Sequence, residues 1–258
     1  MGLAVATGAS TGIGRELARC AAADGHDLVL AADDAEIEAA AAEFRAQGRT
    51  VDAVRADLAT ADGVDRLTAV LRGRPVDLLM ANAGAGLGHA FLDQDEADID
   101  RVIALNVTGT TDLLHRIVPA MRERGRGRIL VTGSITGYMP GSFHAVYNAT
   151  KAFIDILTLG LREELRGSGV TVTCLMPGPT ETDFFDRAGL EDTPLGEASK
   201  DDPGDVARAG YAAMMKGASG VTPGFLSSAQ RVFASVLPKA AVAALHRRMA
   251  EPEDHRNG

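Results

Sequence analysis

The chain has 258 residues, with 26 Lys and Arg against 35 Asp and Glu, and its net charge of −9 repels phosphate backbones and anionic lipid. Nucleic acid is therefore not an expected partner, and membrane association is disfavoured. Apolar residues make up 46% of the chain and glycine occupies 29 positions, which excludes collagen-like and disordered classes and implies many close backbone approaches. The two cysteines, Cys20 and Cys174, cannot form a disulfide framework and lack any metal-binding spacing, so a reducing, cytoplasmic setting is expected. No apolar run reaches the ~18 residues of a membrane span, and no secretory pattern is visible at the N-terminus.

Short apolar runs alternate with longer segments of helical period. Strands are predicted over Leu3–Thr7, Asp27–Ala31, Thr50–Ala56, Val76–Ala81, Arg128–Thr132 and Val170–Met176, with a weak one near Gly220–Pro223. Helices are predicted over Gly12–Ala23, Asp34–Gln47, Asp62–Arg72, Glu96–Arg122, Val146–Arg166 and Asp205–Lys216, each with apolar residues at spacings of three and four. This is the pattern of repeated βα units: an α/β, Rossmann-type doubly wound parallel sheet of about seven strands in a three-layer αβα sandwich. No linker or internal repeat divides the chain, so one domain is expected over residues 1–258. Two stretches break the alternation. Residues 179–202 are aperiodic and carry Phe184 and Phe185, as a substrate lid would. Residues 225–250 read as a C-terminal helical extension, apolar and basic, that packs at a subunit contact, covers the site or lies on a membrane surface.

The turn Thr7-Gly8-Ala9-Ser10-Thr11-Gly12-Ile13-Gly14 follows the first strand and opens the first helix, where an α/β sheet binds a diphosphate. Glycines let the backbone approach the phosphates, and the free N–H groups at the helix start favour their charge. An acid is expected about 20 residues on, at the end of the second strand, to accept hydrogen bonds from ribose hydroxyls. Asp33 and Asp34 lie there, and a carboxylate would repel a 2′-phosphate, so NAD is favoured over NADP; Thr11 is not basic. The alternative for Asp33 or Asp34 is to cap the next helix. Asp57-Leu58, ending the third strand, can meet the adenine, with the same alternative.

Tyr147 and Lys151 lie one helical turn apart and project from one face. With 3 Tyr and 4 Lys in the chain, such a pair is not a chance event. An ammonium beside a phenol favours the phenolate, which would let Tyr147 act as a general acid/base near neutrality. Ser134 follows the fifth strand at the carboxyl edge of the sheet, where its hydroxyl can donate to a substrate carbonyl. Nothing links it to a histidine base in the manner of a hydrolase, His144 included.

Together with Asn82-Ala83-Gly84, Asn106 and Pro177-Gly178-Pro179-Thr180-Glu181-Thr182, these motifs make the chain resemble the short-chain dehydrogenase/reductase family from Gly2 to about Gly217. It is similar to the branch grouped as dehydrogenases of various substrate specificities. The resemblance implies a tetrad: Tyr147 moves the proton, Ser134 holds the substrate oxygen, Lys151 binds the nicotinamide ribose and lowers the tyrosine pKa, and Asn106 holds a water of the relay. It also implies that Asn82, Ala83 and Gly84 support the central strand beside the cofactor, and that Pro177, Gly178, Thr180 and Thr182 position the nicotinamide. From the residues alone, Asn106 is equally a satisfied buried amide. The expected activity is interconversion of a secondary alcohol and a ketone by hydride transfer. Met139, Phe143, Phe184 and Phe185 suggest an apolar substrate pocket. The chain continues past the tail on which many tetrameric members close, so a homodimer is expected, with a tetramer as the alternative. A catalytically idle nicotinamide-binding redox sensor or interaction module is the competing reading, against which the intact tetrad argues.

Overall fold

The computed structural model describes residues 2–182, 184, 188, 189, 193, 199–224, 227 and 237–250. Seven parallel strands form one sheet: β1 (Leu3–Thr7), β2 (Asp27–Ala32), β3 (Val51–Arg55), β4 (Val76–Ala81), β5 (Gly127–Thr132), β6 (Val170–Leu175) and the two-residue β7 (Gly220–Val221). Their order is β3-β2-β1-β4-β5-β6-β7, so the winding reverses between β1 and β4. At such a switch point the loops leaving adjacent strands diverge and open a crevice.

The alternation along each strand divides the core into two layers. Leu3 and Val5 of β1, Leu79 of β4 and Ile129 of β5 face one side, against α3 (Ala61–Leu71), α5 (Thr110–Arg124) and α6 (Ala145–Glu164). Ala4, Ala6, Leu78, Met80 and Leu130 face the other, against α1 (Gly12–Ala23), α2 (Glu36–Ala46) and α7 (Pro203–Met215). The strands are apolar on both faces because both are covered, as a parallel sheet requires. Tyr211 of α7 anchors the outer layer by donating from its hydroxyl to Asp24 after α1, at 2.9 Å.

The predicted helix Glu96–Arg122 is three pieces: α4 (Glu96–Ile103), a π-helical turn over Ala104–Gly109, and α5. The cause is tertiary. A Cβ on Gly109 would lie 1.9 Å from the carbonyl oxygen of Leu58, so the helix approaches the β3 loop more closely than a side chain permits. Widening the ladder to i→i+5 accommodates that approach. In α2 the helix starts at Glu36, after the predicted Asp34, because the Asp34 carboxylate is engaged elsewhere. A short 3₁₀ turn over Ile135–Tyr138, not predicted, follows Ser134. The last helix, α8 (Lys239–Ala250), is the described part of the predicted C-terminal extension.

Candidate active site

A cleft of about 1050 Å³ opens at the switch point and runs from the ends of β2 and β3 to α8. Its first end is built on the glycine-rich turn. Gly12 has φ of +55°, a left-handed conformation that a side chain resists. A Cβ on Gly14 would fall 2.1 Å from the Gly8 carbonyl oxygen. The first turn of α1 carries no acidic residue, so its N–H groups face the cleft without a carboxylate of their own helix among them. Gly8, Ser10, Thr11, Gly12 and Ile13 line the cleft, while Gly14 packs behind them. This cradle fits a dinucleotide diphosphate.

The carboxylates at this end do not cap helices. Ser10 Oγ donates to Asp34 at 2.7 Å, tying β2 to the turn, and the residue preceding α2 is Ala35, with no side-chain cap. Asp57 accepts from the Ala59 amide at 3.0 Å, and Thr60 caps α3 instead. Asp33, Asp57 and Leu58 all line the cleft. Thr11 is not basic, but α4 brings a basic group to Asp33. Arg101 reaches across and pairs with Asp33 and Asp57, each at 2.9 Å, and Arg55 Nε donates to the Asp33 carbonyl at 3.1 Å. Burial would raise the Asp57 carboxyl, but the Arg101 and Ala59 hydrogen bonds outweigh it and hold it below its ordinary range. Arg101 was hidden in the sequence because its spacing on α4 is that of any exposed helical residue.

The middle of the cleft holds Ser134, Tyr147 and Lys151, which are 5, 8 and 6% exposed. Lys151 Nζ donates to the Thr132 carbonyl at 2.9 Å and sits 5.9 Å from the Tyr147 ring centre. The Ser134 hydroxyl accepts from the Thr136 amide and hydroxyl at 3.1 and 2.9 Å. Burial pushes the phenol of Tyr147 up to about 12, against hydrogen bonds from Ser134 and Thr136 that pull it down. Burial also lowers the pKa of Lys151. The net displacement of the tyrosine is upward because removing a phenolate from water outweighs its hydrogen bonds, while Lys151 is itself desolvated and turned toward a backbone carbonyl. Thr136 was missed by sequence reasoning; its only signal is its place two residues after Ser134.

Asn82 staples three strands at this point. Its Nδ2 donates to the Thr7 carbonyl at 3.2 Å, its Oδ1 accepts from the Thr132 hydroxyl at 3.0 Å, and its amide donates to Thr7 Oγ1 at 3.0 Å. Ala83 and Gly84 follow along the cleft wall. Asn106 is placed behind that wall, 2% exposed. Its Oδ1 accepts from the Ala85 amide at 2.9 Å, and its Nδ2 donates to the Ala85 carbonyl at 2.9 Å and Thr150 Oγ1 at 3.0 Å. Both Nδ2 hydrogens are thereby used, and Oδ1 keeps a second lone pair. Pro177, Gly178, Thr180 and Thr182 line the opposite wall, with Thr182 Cγ2 only 2.9 Å from where a Cβ on Gly12 would be.

At the far end, Met139 and Phe184 line the cleft, and the Phe184 ring is 5.2 Å from that of Tyr147. Phe143 does not join them: it is half-buried and has φ of +61°, and the chain turn there presents His144 to the cleft in its place. Phe185 lies outside the described residues, as does much of the segment read as a lid. The C-terminal helix covers this end. Ser142 Oγ donates to the Ala243 carbonyl at 3.1 Å and Lys239 Nζ to the Tyr138 carbonyl at 2.7 Å, which brings Val242, Leu245, His246 and Met249 to the cleft.

A family model described as short chain dehydrogenase matches residues 3–192. Solved structures superpose over nearly the whole chain. A short-chain dehydrogenase from Sphingobium yanoikuyae in complex with NADPH has a TM-score of 0.82 and 31% identity, covering 93% of this chain and 98% of that one. The bulky-bulky ketone specific alcohol dehydrogenase from Comamonas testosteroni has 0.78 and 28%, covering 93% and 96%. A short chain dehydrogenase/reductase from Burkholderia phymatum in complex with NAD has 0.80 and 26%, covering 90% and 92%. These matches and the nucleotide cradle define an NAD(P)-dependent dehydrogenase or reductase. The chain belongs to the short-chain dehydrogenase/reductase family.

Proposed function

We propose that the protein interconverts a secondary alcohol and a ketone, with Tyr147 as the general acid and base. The observation that carries this reading is the meeting of Tyr147, Ser134 and Lys151, from α6 and the β5 edge, in one buried cleft beside a nucleotide cradle. The glycine-rich turn would hold the diphosphate, Asp33 and Asp57 the adenosine, and Lys151 with Asn82, Ala83, Gly84, Pro177, Gly178, Thr180 and Thr182 the nicotinamide half. When bound, the dinucleotide supplies or accepts the hydride at its nicotinamide ring. Ser134 holds the substrate oxygen, and Tyr147, protonated in this setting, donates to it as a ketone is reduced. Asn106 holds the water through which the proton is replaced.

NAD is the preferred cofactor, because Asp33 meets the ribose end of the cleft, and Arg101 narrows the preference by neutralising that carboxylate. The relatives' complexes with NADPH and with NAD are consistent with either outcome in this fold. Apolar Met139, Phe184, Val242, Leu245 and Met249 suit a largely apolar substrate, in keeping with the ketone-specific relative. The segment over residues 179–202 acts as the lid and the whole chain as one catalytic domain. The protein works as a homodimer in a reducing compartment: Phe153, Ile156 and Leu159 expose an apolar stripe on α6, and Cys20 and Cys174 are unpaired. No described helix is long and apolar enough to cross a membrane.

Titration with NADH and with NADPH, followed by a panel of ketones and secondary alcohols run beside Tyr147→Phe, tests the reading. Tighter NADH binding and loss of turnover in the variant are expected. Tight cofactor binding with no turnover that depends on Tyr147 would replace it with the idle redox sensor.

A further inference from the structure

His144 has no part in the proton transfer, yet it is 2% exposed and neither ring nitrogen has a hydrogen-bond partner among the described residues. Its backbone is satisfied, since its amide donates to the Gly141 carbonyl and its carbonyl accepts from the Asn148 amide. The side chain alone is unpaired. A buried polar group without a partner is destabilising, so such groups are rare and call for a reason. The residue before it, Phe143, adopts φ of +61°, a conformation that a bulky side chain keeps only where its surroundings impose it. That turn directs His144 into the cleft wall, with its ring edge-on to Tyr147 at 6.3 Å between centres.

A second imidazole faces the first. His246 of α8 lies 5.5 Å from His144 between ring centres, and both line the cleft. Its Nδ1 is 3.1 Å from the Ser142 carbonyl oxygen, which can only accept, so Nδ1 carries the hydrogen and Nε2 keeps its lone pair. Burial and the neighbouring histidines push His144 down to about 3, and burial lowers His246, so both rings are neutral. A neutral His144 has one donor and one acceptor nitrogen. Met139, Val242, Leu245 and Met249 line the same cleft, and a neutral oxygen satisfies the pair without bringing an unpaired charge into it.

We propose that His144 and His246 form a polar subsite for a second oxygen of the substrate, a hydroxyl that donates to His246 Nε2 and accepts from the His144 N–H, so that the substrate is a ketone or secondary alcohol bearing a further hydroxyl. This rests on the alcohol and ketone reading above, with the reacting oxygen at Ser134 and Tyr147 and the second at the imidazoles. A site built to bond a substrate oxygen rejects the analogue that lacks it, because its own polar groups are then left unpaired.

The test compares kcat/KM for reduction of 1-hydroxy-1-phenylpropan-2-one and 1-phenylpropan-2-one in the wild type, His144→Leu and His144→Gln, with melting temperatures for all three. In His144→Leu the ratio of hydroxyketone to monoketone should fall about tenfold. Its melting temperature should equal or exceed the wild type's, because the unpaired imidazole is gone. His144→Gln, which keeps a donor and an acceptor, should recover part of the ratio. An unchanged ratio with a lowered melting temperature would make His144 structural and overturn the proposal. Should neither ketone be turned over, the failure belongs to the alcohol and ketone reading, and ¹⁵N spectra of the histidine rings decide the subsite separately. The hydroxyketone, and not the monoketone, must then shift the His144 and His246 signals; no shift ends the proposal.

Discussion

At the scale of single residues, the site depends on how burial sets protonation. With its pKa pushed up to about 12, the Tyr147 phenol is an acid throughout the neutral range. Ketone reduction should therefore show no Tyr147 titration at neutral pH. Alcohol oxidation, which needs the phenolate, should rise with pH by up to about tenfold per unit below that pKa. Paired pH profiles of kcat/KM check both signs, and Tyr147→Phe should remove the activity in both directions. Arg101 is the residue whose role the chain order conceals. Substituting Arg101→Met removes the one guanidinium seen to pair with both Asp33 and Asp57, and NADPH affinity should fall about tenfold while NADH changes much less. Fluorescence titration of each reduced cofactor measures the difference, and an equal loss for both would show that Arg101 only braces the two carboxylates.

Among the elements, the π-helical turn has the clearest consequence. It exists because Gly109 lies against the Leu58 carbonyl, and it carries Asn106 to its contacts with Ala85 and Thr150. Gly109→Ala places a methyl where the backbone oxygen already is, and should destabilise the fold by about 1–3 kcal/mol through overpacking. Denaturant unfolding gives that figure, and activity should fall further than stability because Asn106 and the Leu58 edge of the cleft move together. The Asn82 staple illustrates the same economy at the strand ends: one amide joins β1, β4 and β5 where the crevice opens. The family resemblance marked Asn82 and Asn106 in the sequence, but the bonds they make involve residues 21 to 75 positions away. No local pattern encodes such partners.

For the molecule as a whole, the sheet order puts the cleft at its centre and leaves the α6 face uncovered. Ile156, 72% exposed, is the most prominent member of the apolar stripe there. Ile156→Arg should convert the proposed dimer to a monomer in size-exclusion chromatography with light scattering, with little change in melting temperature for the separated chain, since the substituted side chain already faces solvent. A dimer that persists would place the subunit contact elsewhere. The core beneath is less forgiving. Leu79 is fully buried in the central strand, and Leu79→Ala should lower unfolding stability by about 2–5 kcal/mol.

The sequence by itself determined the parallel sheet, the position of the nucleotide cradle and the Tyr147, Lys151 and Ser134 set, because these rest on period, on glycine placement and on pairs separated by one helical turn. Strand and helix limits agree with the structure to within a few residues for the same reason. Only the tertiary structure decided that Arg101 meets Asp33 and Asp57, that Asp34 binds Ser10 instead of capping a helix, that His144 replaces Phe143 at the cleft, and that α8 covers the substrate end. Each of those outcomes joins segments far apart in the chain. Which side chain arrives there depends on how whole elements pack, and that packing leaves no trace in the spacing of neighbouring residues.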